Sequence, residues 1–145
     1  MSLIDGLYGM GPVVNHQTGE EKTLKDIPFR YLGLYFTATW CSYCWKIKDK
    51  IPILLNVVNK KGPLFKLLTF RLDDDGGNFG YYDLGYKVFD SDRASAIATM
   101  VGVKGIPRIL VYDIMGRLVS SDGFKDMSSF KENTIEMWDR KMNSK

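Results

Sequence analysis

The chain has 145 residues, 45% of them hydrophobic and 26% charged, with a net charge of +3 at pH 7. That is enough apolar material for one ordinary core without staples, and too mild a charge for a nucleic-acid-binding role. No apolar run approaches the ~20 residues of a membrane span, and the first six residues lack the basic region and long apolar core of a signal peptide, so a reducing, cytoplasmic setting is expected, with a nuclear one also compatible.

The predicted elements begin with residues 32–39, Leu-Gly-Leu-Tyr-Phe-Thr-Ala-Thr, which are apolar, aromatic and β-branched and predict a buried strand. Trp40-Cys41-Ser42-Tyr43-Cys44 follows and holds the only two cysteines of the chain. Residues 45–59 then place apolar side chains at 47, 51, 54, 55 and 58, the stripe of an amphipathic helix, with a kinking proline at Pro52. Residues 67–72 predict a central strand, bounded by the acidic run Asp73-Asp74-Asp75. That run fails the EF-hand template, because Gly77 sits where a ligand belongs and no Glu closes the loop, and it reads as a solvated turn. Residues 78–89 predict only a connection, with room for a short helix. Ser91 to Met100 predicts a helix with Ala94, Ala96, Ile97, Ala98 and Met100 mostly on one side. Ser129-Phe130-Lys131-Glu132 matches a capping box and predicts the start of a final helix whose Ile135, Met137, Trp138 and Met142 pack in the core.

The two cysteines carry the chemistry. Residues i and i+3 share one face of a helical turn, so their sulfurs can meet within disulfide distance and cycle between dithiol and disulfide with little backbone movement. A zinc site needs two further Cys or His ligands, and the chain offers only His16, which reads as a surface residue. An inert buried pair or a static structural bridge remain as readings; the loop is so short that a bridge would constrain the unfolded chain little. Strand, then Cys-x-x-Cys, then helix puts Cys41 at a helix N-terminus, where unpaired N–H groups favour an anion and lower a thiol pKa. Cys44, one turn in, is shielded. Cys41 is therefore the expected nucleophile and Cys44 the resolving thiol.

Two separate segments resemble the thioredoxin superfamily. Residues 36–44, Phe-Thr-Ala-Thr-Trp-Cys-Ser-Tyr-Cys, are similar to its strand running into a Trp-Cys-x-x-Cys helix start. Residues 101–113, Val-Gly-Val-Lys-Gly-Ile-Pro-Arg-Ile-Leu-Val-Tyr-Asp, followed by Gly116-Arg117-Leu118-Val119, are similar to its cis-proline, strand, turn and second strand. Most X-Pro bonds are trans, but this resemblance implies a cis Pro107 lying against the cysteines, with the preceding backbone at Ile106 free to pair with an extended substrate. Within the superfamily the chain resembles the tryparedoxin and nucleoredoxin branch, through Tyr35-Phe36-x-Ala38-x-Trp40-Cys41 and Phe89-Asp90-Ser91-Asp92-Arg93. Residues 13–24, with a turn at Thr18-Gly19, resemble the hairpin or strand preceding that branch's core.

The resemblance implies a thioredoxin-like α/β fold: one domain over 1–145 with its core at about 12–140, a central mixed sheet with helices on both faces, and an N-terminal strand or hairpin extension. It implies a protein-disulfide reductase, monomeric, needing no metal or other cofactor and contacting no membrane. Its partners would be disulfide-containing proteins, peroxidases among them, and a low-molecular-weight or protein dithiol donor. Trp40, Ser42, Tyr43, Ile106 and Pro107 are the expected substrate contacts. Several residues depart from the usual pattern and are candidates for tuning. Tyr35 stands where thioredoxins bury an aspartate, which leaves Cys44 without that acid; Asp49 is too far along the helix to replace it. Trp45 follows the second cysteine. Arg108 follows the proline, and the strand register decides whether it faces the cysteines or solvent. A tyrosine before the second cysteine is also found in glutaredoxins, which keeps a glutathione-using reductase as one alternative. A partner-binding adaptor with idle cysteines is the other, favoured by the aromatics Trp40, Tyr43 and Trp45. Lys46, Lys48, Lys50, Lys60 and Lys61 read as a solvated helix surface.

Overall fold

The computed structural model describes Leu7 and residues 13–15, 18–62, 64–73 and 91–144, together with the backbone of residues 85–88. His16, the run 74–78 and the pair Phe89-Asp90 lie outside the described residues. Among the described residues seven strands form one mixed sheet: β1 (Val13–Asn15), β2 (Glu21–Lys22), β3 (Tyr31–Thr37), β4 (Phe65–Arg71), β5 (Gly85–Val88), β6 (Arg108–Asp113) and β7 (Leu118–Ser120), in the order β2-β1-β5-β4-β3-β6-β7. β3 runs parallel to β4 and antiparallel to β6, and β4 runs parallel to β5. β1 and β2 form an antiparallel hairpin turned through Gly19, whose φ of 75° suits glycine. Residues 85–88 are thus a strand, β5, where the sequence left a connection or a short helix. Four residues rich in Gly and Tyr carry little periodicity; pairing with β4 and β1 makes them extended.

The helices are α1 (Ser42–Ile47), α2 (Lys50–Val58), α3 (Ser91–Val101), α4 (Gly123–Phe130) and α5 (Thr134–Asn143). The single helix expected over 45–59 is two. Pro52 explains the break: lacking an N–H and crowding the carbonyl four residues back, it ends helical bonding at Lys48, and the chain restarts at Lys50. The capping box at Ser129 is not one. Ser129 lies in the last turn of α4, whose N-cap is Asp122, its carboxylate accepting the Lys125 N–H at 3.2 Å. α5 begins only after a 3₁₀ turn at Lys131–Asn133.

Alternation along β3 fills two cores. Leu32, Leu34 and Phe36 face α3, packing with Phe70, Leu110, Ala94, Ile97 and Ala98. On α3 the spacing 94, 97, 98 is one helical stripe, whereas Ala96 and Met100 face solvent. Tyr31 and Tyr35 face the other layer, with Ile51 and Leu55 of α2, Ile109, Val111, Met127 and Trp138. Gly33 belongs to this face, and a Cβ there would stand 2.7 Å from the Phe65 ring, so only glycine lets the ring lie on the strand. Trp138, fully buried, sits edge-on to Tyr31 and Phe65 with centroids 5.3 Å away in each case. The expected core role of Trp138 and Met142 is what the helix does. Among the described residues no helix is long and apolar enough to cross a membrane.

Candidate active site

β3 is an interior strand, flanked by β4 and β6, and the chain leaves its carboxyl end into Trp40-Cys41 and α1. Cys41 is the N-cap of α1, in extended backbone, and the Cys44 N–H donates to its sulfur at 3.1 Å. That contact follows from the sequence spacing alone: an N-cap side chain reaches the N–H three residues on. The Cys41 Sγ also lies 3.9 Å from the carbonyl oxygen of Ile106, and the Ile106–Pro107 peptide is cis. The two motifs, separated by about sixty residues of chain, therefore meet at one sulfur.

The two thiols differ in environment. Cys41 retains 8% of its surface, while Cys44 is fully buried. Burial pushes the Cys44 thiol up to about 11, reinforced by its hydrogen bond with Cys41 and opposed by the Thr37 hydroxyl and the Ala38 backbone. Thr37, at the end of β3 and wholly buried, is a polar neighbour of Cys44 that the sequence analysis passed over. Its position two residues beyond Tyr35 on the same face of β3 was the available signal.

The other expected residues divide. Trp40 and Tyr43 are largely exposed, at 70% and 55%, and Ser42 is exposed beside them. Tyr43 and Pro107 line a cleft of about 450 Å³ with Phe124, Lys125 and Ser128 of α4. Tyr35 is fully buried in the apolar layer beneath α2 rather than presented to the cleft. Trp45 donates its indole N–H to the Thr39 carbonyl at 2.7 Å, tying α1 to the loop after β3. Register settles Arg108: it pairs with Phe36, whose side chain points to the α3 layer, and its guanidinium reaches the Ser121 carbonyl at 3.3 Å. It is exposed and turned away from the layer that holds Cys44, yet it lines the cleft beside Tyr43 and Pro107. Asp49 is exposed and pairs with Lys48 at 2.9 Å.

Asp73, the one described residue of the run read as a solvated turn, is not solvated. Its carboxylate, only 14% exposed, accepts from both the backbone N–H and the hydroxyl of Thr39 and pairs with buried Arg71. It braces the loop that delivers Trp40 and Cys41. The cleft residues on α4 were also missed, because α4 itself was not recognised. Among the described residues no three His, Cys, Asp or Glu side chains cluster as metal ligands would.

This fold, with Cys-x-x-Cys at the carboxyl end of interior strand β3 against a cis-proline, defines a member of the thioredoxin superfamily. Within it, the chain resembles the tryparedoxin and nucleoredoxin branch. It is 26% identical over 129 residues to the probable nucleoredoxin 1 of Arabidopsis thaliana, covering 86% of this chain and 22% of that protein. It is also 26% identical over 120 residues to the nucleoredoxin of Xenopus laevis, covering 78% and 28%. The chain thus spans about a quarter of the length of the curated relatives it matches. Its fold superposes on tryparedoxin from Trypanosoma brucei with a TM-score of 0.75 at 17% identity, covering 95% of this chain and 99% of that one. No profile of a known protein family matches the chain.

Proposed function

We propose that the protein is a thiol–disulfide oxidoreductase that reduces protein disulfides. One observation carries the reading: Cys41 is the less buried of the pair and its sulfur accepts the Cys44 N–H, while Cys44 is fully buried and held protonated. Nucleophilic attack needs access and a hydrogen bond to the sulfur; resolution needs a second thiol that stays silent until the first is engaged.

The Cys41 thiolate attacks one sulfur of a substrate disulfide. The new S–S bond forms as the old one breaks, and the departing substrate thiolate takes a proton from solvent. Cys44 then loses its proton and attacks the Cys41 sulfur, closing the Cys41–Cys44 disulfide and releasing the second substrate thiol. Two electrons have passed to the substrate, and a low-molecular-weight or protein dithiol donor returns them. Trp40, Ser42 and Tyr43 on one side and Ile106-Pro107 on the other flank the attacking sulfur, where an extended substrate segment can lie. No metal or organic cofactor enters the cycle, and a monomer in a reducing compartment suffices for it. Peroxidases are the acceptor class that the likeness to tryparedoxins favours.

The test is trapping. In Cys44→Ser, a disulfide-containing protein should accumulate as a mixed disulfide on Cys41 that dithiothreitol releases, and Cys41→Ser should trap nothing. Absence of the adduct, together with no reduction of insulin by the unaltered protein and a dithiol donor, would sink the enzyme reading and leave the adaptor.

A further inference from the structure

The cleft beside Pro107 does not end at the active site. Ser128 of α4 lines it and also lines a second depression of about 260 Å³ between α2 and α4, whose other walls are Lys50, Ile53, Leu54 and Lys131. The floor is apolar: it is formed by Ile53, 64% exposed, and Leu54. The rim is basic. Lys125 borders the first cleft and Lys50 and Lys131 the second, and none of the ion pairs among the described residues engages them, whereas Lys48 and Lys61 on the same side of the sequence are paired with Asp49 and Glu136. The single carboxylate in either lining, Asp122, caps α4. Lys131 is moreover the one non-glycine residue among those described with positive φ, at 49°, a conformation suited to glycine.

We infer that this continuous groove docks the substrate protein through an acidic segment carrying an apolar side chain, the apolar group entering between Ile53 and Leu54 and the acids meeting Lys50, Lys125 and Lys131. The inference rests on the reductase reading for its choice of partner. Charge complementarity selects the occupant: three unpaired cations framing an apolar floor attract an acidic, apolar-bearing segment and repel a basic one.

The experiment uses the full chain in its reduced form and three fluorescent, cysteine-free peptides that differ only in an Asp-Leu-Asp, Ser-Leu-Ser or Lys-Leu-Lys centre, read by anisotropy. The acidic peptide should bind tightest and weaken as salt rises. Lys50→Glu and Lys131→Glu should each lower its affinity about fivefold, as rim ion pairs do, and should bind the Lys-Leu-Lys peptide instead. Lys60→Glu, at the far end of α2, makes the same change in net charge and should leave the ranking intact. Lys131→Gly should raise the melting temperature by relieving the backbone while weakening the acidic peptide, a split that a purely structural lysine would not give. Equal binding of the three peptides, equal loss in Lys60→Glu, or tighter binding of an oligonucleotide or of phosphatidylserine vesicles would each overturn the inference. A neutral reporter disulfide checks the reductase reading separately: if it is not reduced while the acidic peptide still docks, the enzyme reading falls and the groove stands.

Discussion

At the residue scale the asymmetry between Cys41 and Cys44 has a kinetic consequence. Cys44 is held up near pH 11 chiefly by burial, so at neutral pH little of it is thiolate, and the resolving step depends on the fraction that ionises. Release of substrate from the Cys41 mixed disulfide should therefore accelerate about tenfold per pH unit between pH 7 and 9. Stopped-flow measurement of that release checks it, and a pH-independent rate across the window would remove Cys44 ionisation as the controlling event. Asp73 makes a second prediction. Its carboxylate serves two Thr39 donors and Arg71 in a mostly buried setting, so Asp73→Ala should cost about 1–3 kcal/mol in urea unfolding. It should also slow formation of the mixed disulfide, since the loop carrying Cys41 loses its brace. The cysteines were legible because their spacing is local. Asp73 was not, because an aspartate in an acidic run gives no sign of the residue it will meet 34 positions away.

At the element scale, close approach decides where substitutions hurt. Gly33 has the Phe65 ring and Leu67 within about one methyl group of its missing Cβ, with the nearest ring carbon at 2.7 Å. Gly33→Ala should push β3 off β4 and destabilise the protein by about 1–3 kcal/mol, measured by chemical denaturation. An unchanged midpoint would mean that the Phe65 ring moves aside freely. The apolar stripe at 47, 51, 54, 55 and 58 was enough to foresee helix there, because periodicity is an intrinsic property of the segment. The split into α1 and α2 follows from Pro52 and was visible in principle, one turn upstream of the ring. α4 was hidden for another reason. It is eight residues long, with only Gly123 and Met127 fully buried, and its start needs Asp122 as a cap rather than the better-matching Ser129. Short helices held by tertiary contact leave weak sequence signals.

At the scale of the whole molecule, α5 is locked to the sheet by one polar and one aromatic cluster. The Tyr31 hydroxyl donates to Asp139 at 2.5 Å, Arg30 pairs with the same carboxylate at 3.0 Å, and Trp138 fills the space between Tyr31 and Phe65. Trp138→Ala should cost about 3–5 kcal/mol, enough to leave the chain marginal in thermal unfolding. Burial first and the Asp139 bond second push the Tyr31 phenol up to about 12. A group whose folded pKa is raised adds stability that is full below its unfolded value and is lost as pH climbs to the folded one. Cys44 and Tyr31 share that sign, so stability should fall from about pH 9 and decline further between 10 and 12. Tyr31→Phe should flatten the second part of that profile in equilibrium unfolding; an identical profile would assign the alkaline loss elsewhere.

By itself, the amino-acid sequence determined the Cys41–Cys44 pair, the strand and helix that present it and the alternation that buries both faces of β3. All of these depend on neighbours within a turn or two of chain. Only the tertiary structure decided that Arg108 turns outward while Tyr35 turns into the core, and that α4 supplies the far wall of the cleft. Those outcomes depend on register between strands and on contacts between distant segments, where pairing Phe36 with Arg108 and Tyr35 with Ile109 sends each side chain to its own layer.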